Sequence, residues 1–467
     1  MTKIIKDKIL SIGLKRQAVF GFVWALAHFV DEFRQPLPYV QDPLGGVLHT
    51  VVFATAVSLL FKPSSSARLV LMSGVSVIVG IIQMPITPNH NMIFFMVDMA
   101  IVLAIGLEAF SRSPGGRPWF ITAEPFLRIA LLVTYGSAVI AKMNTGWVDL
   151  SVSCSTTMPA KEFSWLPFDV PWESMWIMPV AVAGVELLVW LLPLFRPVRP
   201  YALVLAVVFH ASLSLTPVSQ GLGFSFLLFA LLTLYLPDDA QLSIYSKSRQ
   251  FVATIKERKL LATVVYSVVT FAIFIAINSF LITGSPVLTF FRYIPSLLLL
   301  LVFGGVIAAY ALRYRKSEQL KPAVAIRHWT QLVLLVIIVL NSLGPYFGFK
   351  TYATMTMYSN LVVEEQSSNH LFIPSMPLSN LGYDTVEIID SSNTKLKAYS
   401  QLGYKVTWHE LRRILSDDPS ASIAYVRDGQ LVELEQAYLD PELRSTDPIL
   451  HKILGFRPVS SSAACLW

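Results

Sequence analysis

Tyr135, Ala138 and Lys142 recur at i, i+3 and i+7, so a helix through them carries a phenol, a small residue and an amine on one face. Ser137 falls on the far side. The run from Arg128 to Ala141 is otherwise apolar and closes on Lys142-Met-Asn-Thr-Gly-Trp147. An amine at the end of an apolar helix is costly in hydrocarbon unless something uses it. Desolvation disfavours its charged form, and a neutral amine beside a membrane cavity can act as a general base toward a quinol or phenol hydroxyl. A carboxylate paired closely with it, such as Asp98 or Glu186, would keep it charged and make it an electrostatic clamp. The plainer alternative has Lys142 snorkelling to the interface and Trp147 in the aromatic belt.

Other ionisable groups occupy neighbouring apolar segments. Asn89 and His90 sit at a loop-to-helix junction, and Asp98 follows about two turns into that helix. Glu186 and His210 lie in later segments, with Ser214 one turn beyond His210. Ionisable residues inside a membrane bundle normally face its interior and mark a pathway or site. Each also has an ordinary structural role: His90 as a cap, His210 in an interhelical hydrogen bond, Asp98 and Glu186 as partners for arginine or backbone. Spacings such as His-x-x-x-His, Cys-x-x-Cys and Gly-x-Ser-x-Gly are missing from the sequence, as is a phosphate loop, so no metal is expected and hydrolase and kinase chemistry has no footing.

The elements that must position these groups are apolar helices. Of 467 residues, 54% are hydrophobic and 14% charged, whereas a soluble domain carries about a quarter charged. Candidate spans fall near 17–33, 44–61, 68–84, 91–110, 126–143, 175–195, 199–216, 222–237, 260–283, 289–312 and 328–347. Lysines and arginines concentrate in alternate loops, which orients the N-terminus toward the cytoplasm and the tail after about 348 outside it. The net charge of +6 is spread through short loops, a topology signal and not a nucleic-acid footprint. The basic N-terminus leads into a first apolar run without a small-residue cleavage site, an uncleaved span. Cys154 and Cys465 make neither a disulfide framework nor a metal cluster; whether they pair is open.

From Lys350 onward no run approaches spanning length. Thr407-Trp-His-Glu410 is a capping box that opens a helix. Residues 421–426 and 430–435 alternate around Arg427-Asp-Gly429, a hairpin. The expected fold is an all-α polytopic membrane bundle of about 9–11 spans with a small extracytoplasmic α+β domain at the C-terminus. Its parts are a transmembrane core over 1–240, additional transmembrane helices over 241–347, and the α+β domain over 348–467.

Three stretches carry a family likeness. Ala138-Val-Ile-Ala-Lys142-Met-Asn-Thr-Gly-Trp147-Val, Asn89-His90, and Val185-Glu186-Leu-Leu through Arg196-Pro-Val-Arg-Pro to Phe209-His210 resemble the vitamin K-dependent gamma-carboxylases, within the wider HTTM (horizontally transferred transmembrane) group. A fainter likeness lies in Lys350-Thr-Tyr-Ala-Thr-Met-Thr-Met357-Tyr-Ser-Asn360. The resemblance covers roughly 15–240 plus that join. It implies an integral membrane enzyme of the inner or plasma membrane that couples oxygenation of a reduced vitamin K-type naphthoquinone (menaquinol) to carboxylation of a glutamyl side chain, with O2 and CO2 as co-substrates. Partners would be the lipid bilayer, a membrane quinone and a peptide or protein acceptor, with no nucleic acid. It further implies that Lys142 is the base and His90 positions the quinol, with Asn89, Tyr135, His210 and Tyr358 lining its site. The sequence departs from the family at Ala141, where the carboxylases have a first lysine, and in its short tail of about 118 residues, which removes the basis for propeptide docking. Two alternatives keep the same fold: a non-catalytic scaffold in peptide or toxin maturation, and a quinone oxidoreductase without carboxylation.

Overall fold

The computed structural model describes residues 3–34, 43–85, 89–110, 119–163, 170–172, 175–215, 221–257, 286–326, 328–356, 358–364, 368–374, 376, 378–444, 447–460 and 465. The expected span at 260–283 lies outside them. The described chain is mostly helical, with one antiparallel four-stranded sheet near the C-terminus. Its longer helices are α1 (Lys3–Arg34), α2 (Pro43–Phe61), α3 (Ser66–Gln83), α4 (Asn89–Phe110), α5 (Trp119–Ala141), α6 (Thr145–Val148, a single turn), α7 (Cys154–Glu162), α8 (Ile177–Leu191), α9 (Arg199–Leu213), α10 (Gly221–Thr233), α11 (Asp238–Glu257), α12 (Pro286–Arg313) and α13 (Trp329–Leu343).

Among the described residues, seven helices are long and apolar enough to cross a membrane, or eight if the bent pair α10–α11 counts as one span. Three segments account for the lower number. The apolar part of α1 continues into a charged N-terminal half. α9 has only 15 residues, short of the roughly 20 a bilayer needs. α10 and α11 meet at 117°, and α11 opens on Asp238-Asp239 and alternates polar with apolar residues. The spans differ in enclosure. In α5 83% of the span is buried, against 17% over Ile177–Leu194, so α5 is a core helix and α8 is mostly partly exposed.

The chain folds as two compact units, each discontinuous in sequence: Met1–Ile82, Phe94–Val133 and Val185–Leu335 form the first, and Gln83–Ile93, Thr134–Gly184 and Val336–Trp467 the second. In unit 1, α1 packs against α2, α10 and α11, and α12 against α9 and α10. One face of α1 carries Arg16, Phe20, Trp24, His28 and Glu32, every fourth residue. Phe20 stacks on Trp24 with ring centroids 5.7 Å apart and meets Phe120 of α5 at 5.8 Å. At the Arg16 end lies a buried ionic knot. Arg16 and Arg128 bond to Glu124, the latter at 3.2 Å, and Lys321 Nζ bonds to both Glu124 (3.0 Å) and Asp238 (2.9 Å). Arg16 Nε also reaches Asp238 at 3.1 Å. A cavity of about 230 Å³ opens beside these groups.

Unit 2 carries the sheet. β1 (Thr385–Ser391), β2 (Lys405–Thr407), β3 (Ile423–Arg427) and β4 (Gln430–Leu434) lie in the order β2-β1-β3-β4, all antiparallel. The expected hairpin is β3–β4. Arg427 faces Gln430 across a two-residue turn in which Asp428 and Gly429 both take positive φ, 52° and 77°, the geometry that matches strand twist. The expected cap also forms: Thr407 Oγ1 accepts the Glu410 N–H at the start of a helix over Trp408–Asp417. Glu410 does not complete the box. Its carboxylate is buried against Arg413, at 2.7 and 3.0 Å. The helix turns Leu411, Ile414 and Leu415 onto Val386, Ile388 and Val406 of the sheet. Cys154 and Cys465 are joined in a disulfide, which settles the pairing left open by their spacing.

The lobe carries a pH dependence. The His409 and His451 rings meet edge to face at 4.8 Å. Burial holds His451 down to about 4 and lowers His409 as well, each from an ordinary imidazole value near 6.5. The unfolded chain therefore binds more protons than the folded lobe between those values, and stability is full above pH 6.5 and falls as pH drops toward 4. Thermal melts of the whole protein across that window are expected to show the loss, and His451→Gln should flatten the profile. An unchanged slope in the variant would refute the assignment.

Candidate functional site

The end of α5 is built by its own backbone and by one asparagine. Lys142 follows the last helical residue, and its N–H still bonds to Ala138 O (3.2 Å) and Val139 O (3.1 Å). Tyr135, Ala138 and Lys142 are all buried, the lysine to 5% exposure, so the face read from their spacing is an interior one. Lys142 Nζ lies 5.2 Å from the centre of the Trp147 ring, within cation–π range. Trp147 is fixed at both ends: its backbone N–H donates to Asn144 Oδ1 at 2.8 Å, and its indole N–H to Pro179 O at 3.0 Å. Asn144 thereby caps α6, while its amide donates to Ala141 O and to Ser359 O.

Ser359 belongs to a buried segment with unusual backbone. Ala353, Met355, Tyr358 and Asn360 have φ of 54°, 60°, 46° and 55°. Residues with a Cβ seldom adopt the left-handed region, and each instance costs of order 1–3 kcal/mol when held in place by its surroundings. Here the surroundings are polar and convergent. Asn89 Oδ1, at the start of α4, accepts the Thr354 N–H at 3.0 Å, and Asn341 donates to Ala353 O at 2.7 Å. Asn360 accepts from Cys154 N and donates to Val152 O, both at 2.8 Å. Asn369 accepts the Val362 N–H (2.9 Å) and donates to Asn360 O (2.8 Å) and Asn144 Oδ1 (3.3 Å). His370 Nδ1 accepts from Phe372 and Ile373 N–H groups, at 3.1 and 2.9 Å, and its Nε2 lies 2.8 Å from Ile140 O. That network assigns a neutral imidazole protonated at Nε2.

The structure thus gathers Asn89, His90, Tyr135, Lys142 and Tyr358 into unit 2. Asn89 ties the start of α4 to the left-handed segment, and Asn144 ties the end of α5 to it. His90 in the first turn of α4 and Tyr358 are half-buried. His210 belongs to unit 1. Its Nδ1 lies 3.4 Å from Ser225 Oγ, and the rings of Phe209 and Phe224 stand edge-on to it at 5.3 and 5.4 Å. Asp98 is also in unit 1, bonded to Trp24 and Ser73.

Sequence reasoning gave no site role to Asn144, Asn369, His370 or the amine of Lys350, and Asn341, which reads as helix-packing glue, bonds instead to the left-handed segment. Lys350 Nζ donates to Asn341 Oδ1 at 3.0 Å, and burial lowers its pKa to about 8. Among the described residues, the buried polar atoms Tyr346 Oη and Asn91 Oδ1 have no hydrogen-bond partner. The Tyr346 ring stacks edge-on against His370 at 5.5 Å.

In comparisons with protein families, curated proteins and solved structures, nothing matches this chain.

Proposed function

We propose that the chain is an integral membrane enzyme resembling the vitamin K-dependent gamma-carboxylases, with its site in unit 2. The observation that carries the reading is a buried lysine at the end of the enclosed helix α5, set against the Trp147 ring and joined through Asn144 to the left-handed segment at 353–360. In this reading Lys142 takes a proton from a hydroxyl, His90 orients the ring that bears it, and Tyr135 and Tyr358 bound the pocket. Tyr346 and Asn91 supply the remaining polar contacts. A reduced naphthoquinone would supply, with O2, the base strength needed to remove a glutamyl γ-proton before CO2 adds. The apolar enclosure around Lys142 would keep water from quenching such a base.

The reading places unit 2's loops and tail outside the cytoplasm. The Cys154–Cys465 disulfide supports this, because such bonds persist in oxidising compartments. A direct test uses intact cells and a membrane-impermeant reductant followed by an impermeant maleimide. Labelling of both cysteines only after external reduction is expected; labelling that requires permeabilised cells would reverse the orientation. The disulfide also links positions 311 residues apart, and Cys154→Ser is expected to lower stability by about 2–4 kcal/mol, read from melts with and without reductant.

A further inference from the structure

Unit 1 holds a second set of ionisable groups that the proposed site does not use. Asp98 of α4 is wholly buried and takes three contacts: the Trp24 indole N–H at 2.9 Å, the Ser73 hydroxyl at 2.7 Å, and His28 Nε2 at 3.1 Å from its other oxygen. One turn further along α1 from His28 is Glu32, on the same face. Glu32 Oε2 lies 2.7 Å from His49 Nδ1 of α2. Carboxylate and imidazole therefore alternate in the order Asp98, His28, Glu32, His49. From Trp24 to Glu32 the chain of groups climbs about 12 Å along α1.

The other end of this row is closed by apolar packing. Trp24 stacks on Phe20, Phe20 meets Phe120, and the Arg16 guanidinium covers Phe120 at 5.4 Å. Phe94 packs on the His28 ring at 4.5 Å. The charged groups acting on His28 are Asp98 from α4 and Glu32 and Asp31 from α1 itself. Of the helices around them, α2 brings His49, α3 the Ser73 hydroxyl, and α10 sets the Cβ-free Gly223 against Asp31. A single buried ion pair needs one acid and one base. Two such pairs, Asp98–His28 and Glu32–His49, set one turn apart on α1, have the form of a proton path, the use to which buried Asp, Glu and His rows are put in membrane proteins.

We propose that Asp98, His28, Glu32 and His49 form a proton relay that exchanges a proton between the buried Asp98 of α4 and His49 of α2. In the outward direction Asp98 gives its proton to His28 Nε2, and His28 Nδ1 releases one to Glu32. Glu32 passes a proton to His49 Nδ1, and His49 Nε2 gives one up to a water molecule. Each step breaks one O–H or N–H bond and makes another, and no electrons move. Ser73 and Trp24 are positioning residues that donate to Asp98 Oδ1 and fix the orientation of its carboxyl.

Infrared spectroscopy of the protein in nanodiscs after a jump in bulk pH tests this. A carboxyl band that responds to pH and is lost in Asp98→Asn is expected. Its response should slow by roughly a hundredfold in Glu32→Gln and in His49→Ala, and free imidazole should restore the rate in His49→Ala. Melting each variant first shows that it is folded; His49→Gln replaces His49→Ala if the latter is not. A response equally fast in wild type, Glu32→Gln and the His49 variant would reduce the row to two static ion pairs and overturn the relay. So would an Asp98 band that never responds to pH.

Discussion

Lys142→Ala is expected to remove quinol-dependent oxygen consumption, lowering it by roughly a hundred- to ten-thousand-fold, the usual contribution of a positioned general base. The variant also distinguishes two roles for one amine. Lys142→Arg restores a positive charge over Trp147, yet a guanidinium does not give up its proton near neutral pH. If Lys142 is the base, the arginine variant is as inactive as the alanine one. If it is a clamp, arginine recovers much of the activity. The Ala substitution deletes a buried chain that packs on Trp147, so bound quinone should be measured alongside turnover. A variant that binds quinone normally and does not turn over is the expected outcome; equal turnover in Lys142→Ala would remove the assignment.

The largest expected effect on stability lies in unit 1. Glu124 is 3% exposed and answers Arg16, Arg128 and Lys321 at once. Glu124→Gln keeps the volume, leaves Arg16 and Lys321 with Asp238 as their described carboxylate, and takes the Glu124 charge from Arg128. Removing one partner of a buried ion pair costs about 3–5 kcal/mol, because the charges left behind have lost their hydration without compensation. A large fall in melting temperature in detergent is expected, and Lys321→Met, made together with Glu124→Gln, should recover part of it. A Glu124→Gln protein as stable as wild type would show that water in the adjoining cavity hydrates the cations. That cavity, about 230 Å³ and lined by Arg16, Arg128 and Lys321, is where such water would enter.

How far the sequence revealed this arrangement depends on the range of the interaction. The β3–β4 hairpin and the Thr407 cap were legible because turn residues and cap spacing act within a few positions. The Tyr135–Ala138–Lys142 face was legible for the same reason: it is set by the helical repeat alone. Apolar content revealed the long apolar helices, and the expected span over 222–237 ends where α10 turns into α11, but the length of the polar helix beyond that corner was not read. The row Arg16, Phe20, Trp24, His28 and Glu32 was present in the letters and still hidden. Its two ends are polar and its middle aromatic, so no hydrophobic pattern singles it out, and its partners lie on other helices.

Long-range polar pairing was the least legible. Cys154 and Cys465 are 311 residues apart, and Asn144 finds Ser359 and Asn369 far along the chain. Asn360 could be suspected of left-handed backbone by its residue type, but Ala353, Met355 and Tyr358 take the same conformation without any such signal. Their backbone is imposed by Asn89, Asn341 and the buried polar network around them. For the candidate site, the chemistry-bearing side chains were read from sequence, and the groups that hold them in place came only from the fold. The placement of Asp98 follows the same pattern. Its position in a helix was evident, whereas its bonding to Trp24 and Ser73 was not.

The central claim is that this chain turns over a reduced membrane quinone and captures CO2. The direct measurement supplies purified wild-type protein in nanodiscs with menaquinol, O2, labelled bicarbonate and a glutamate-containing peptide, and follows oxygen uptake, quinone products and label in the peptide together. The account predicts oxygen uptake with quinone epoxide formation and acid-labile label on glutamate, all lost in Lys142→Ala. Quinone oxidation without epoxide or label would make the protein an oxidoreductase, and no turnover with quinol bound would make it a scaffold; either result contradicts the claim.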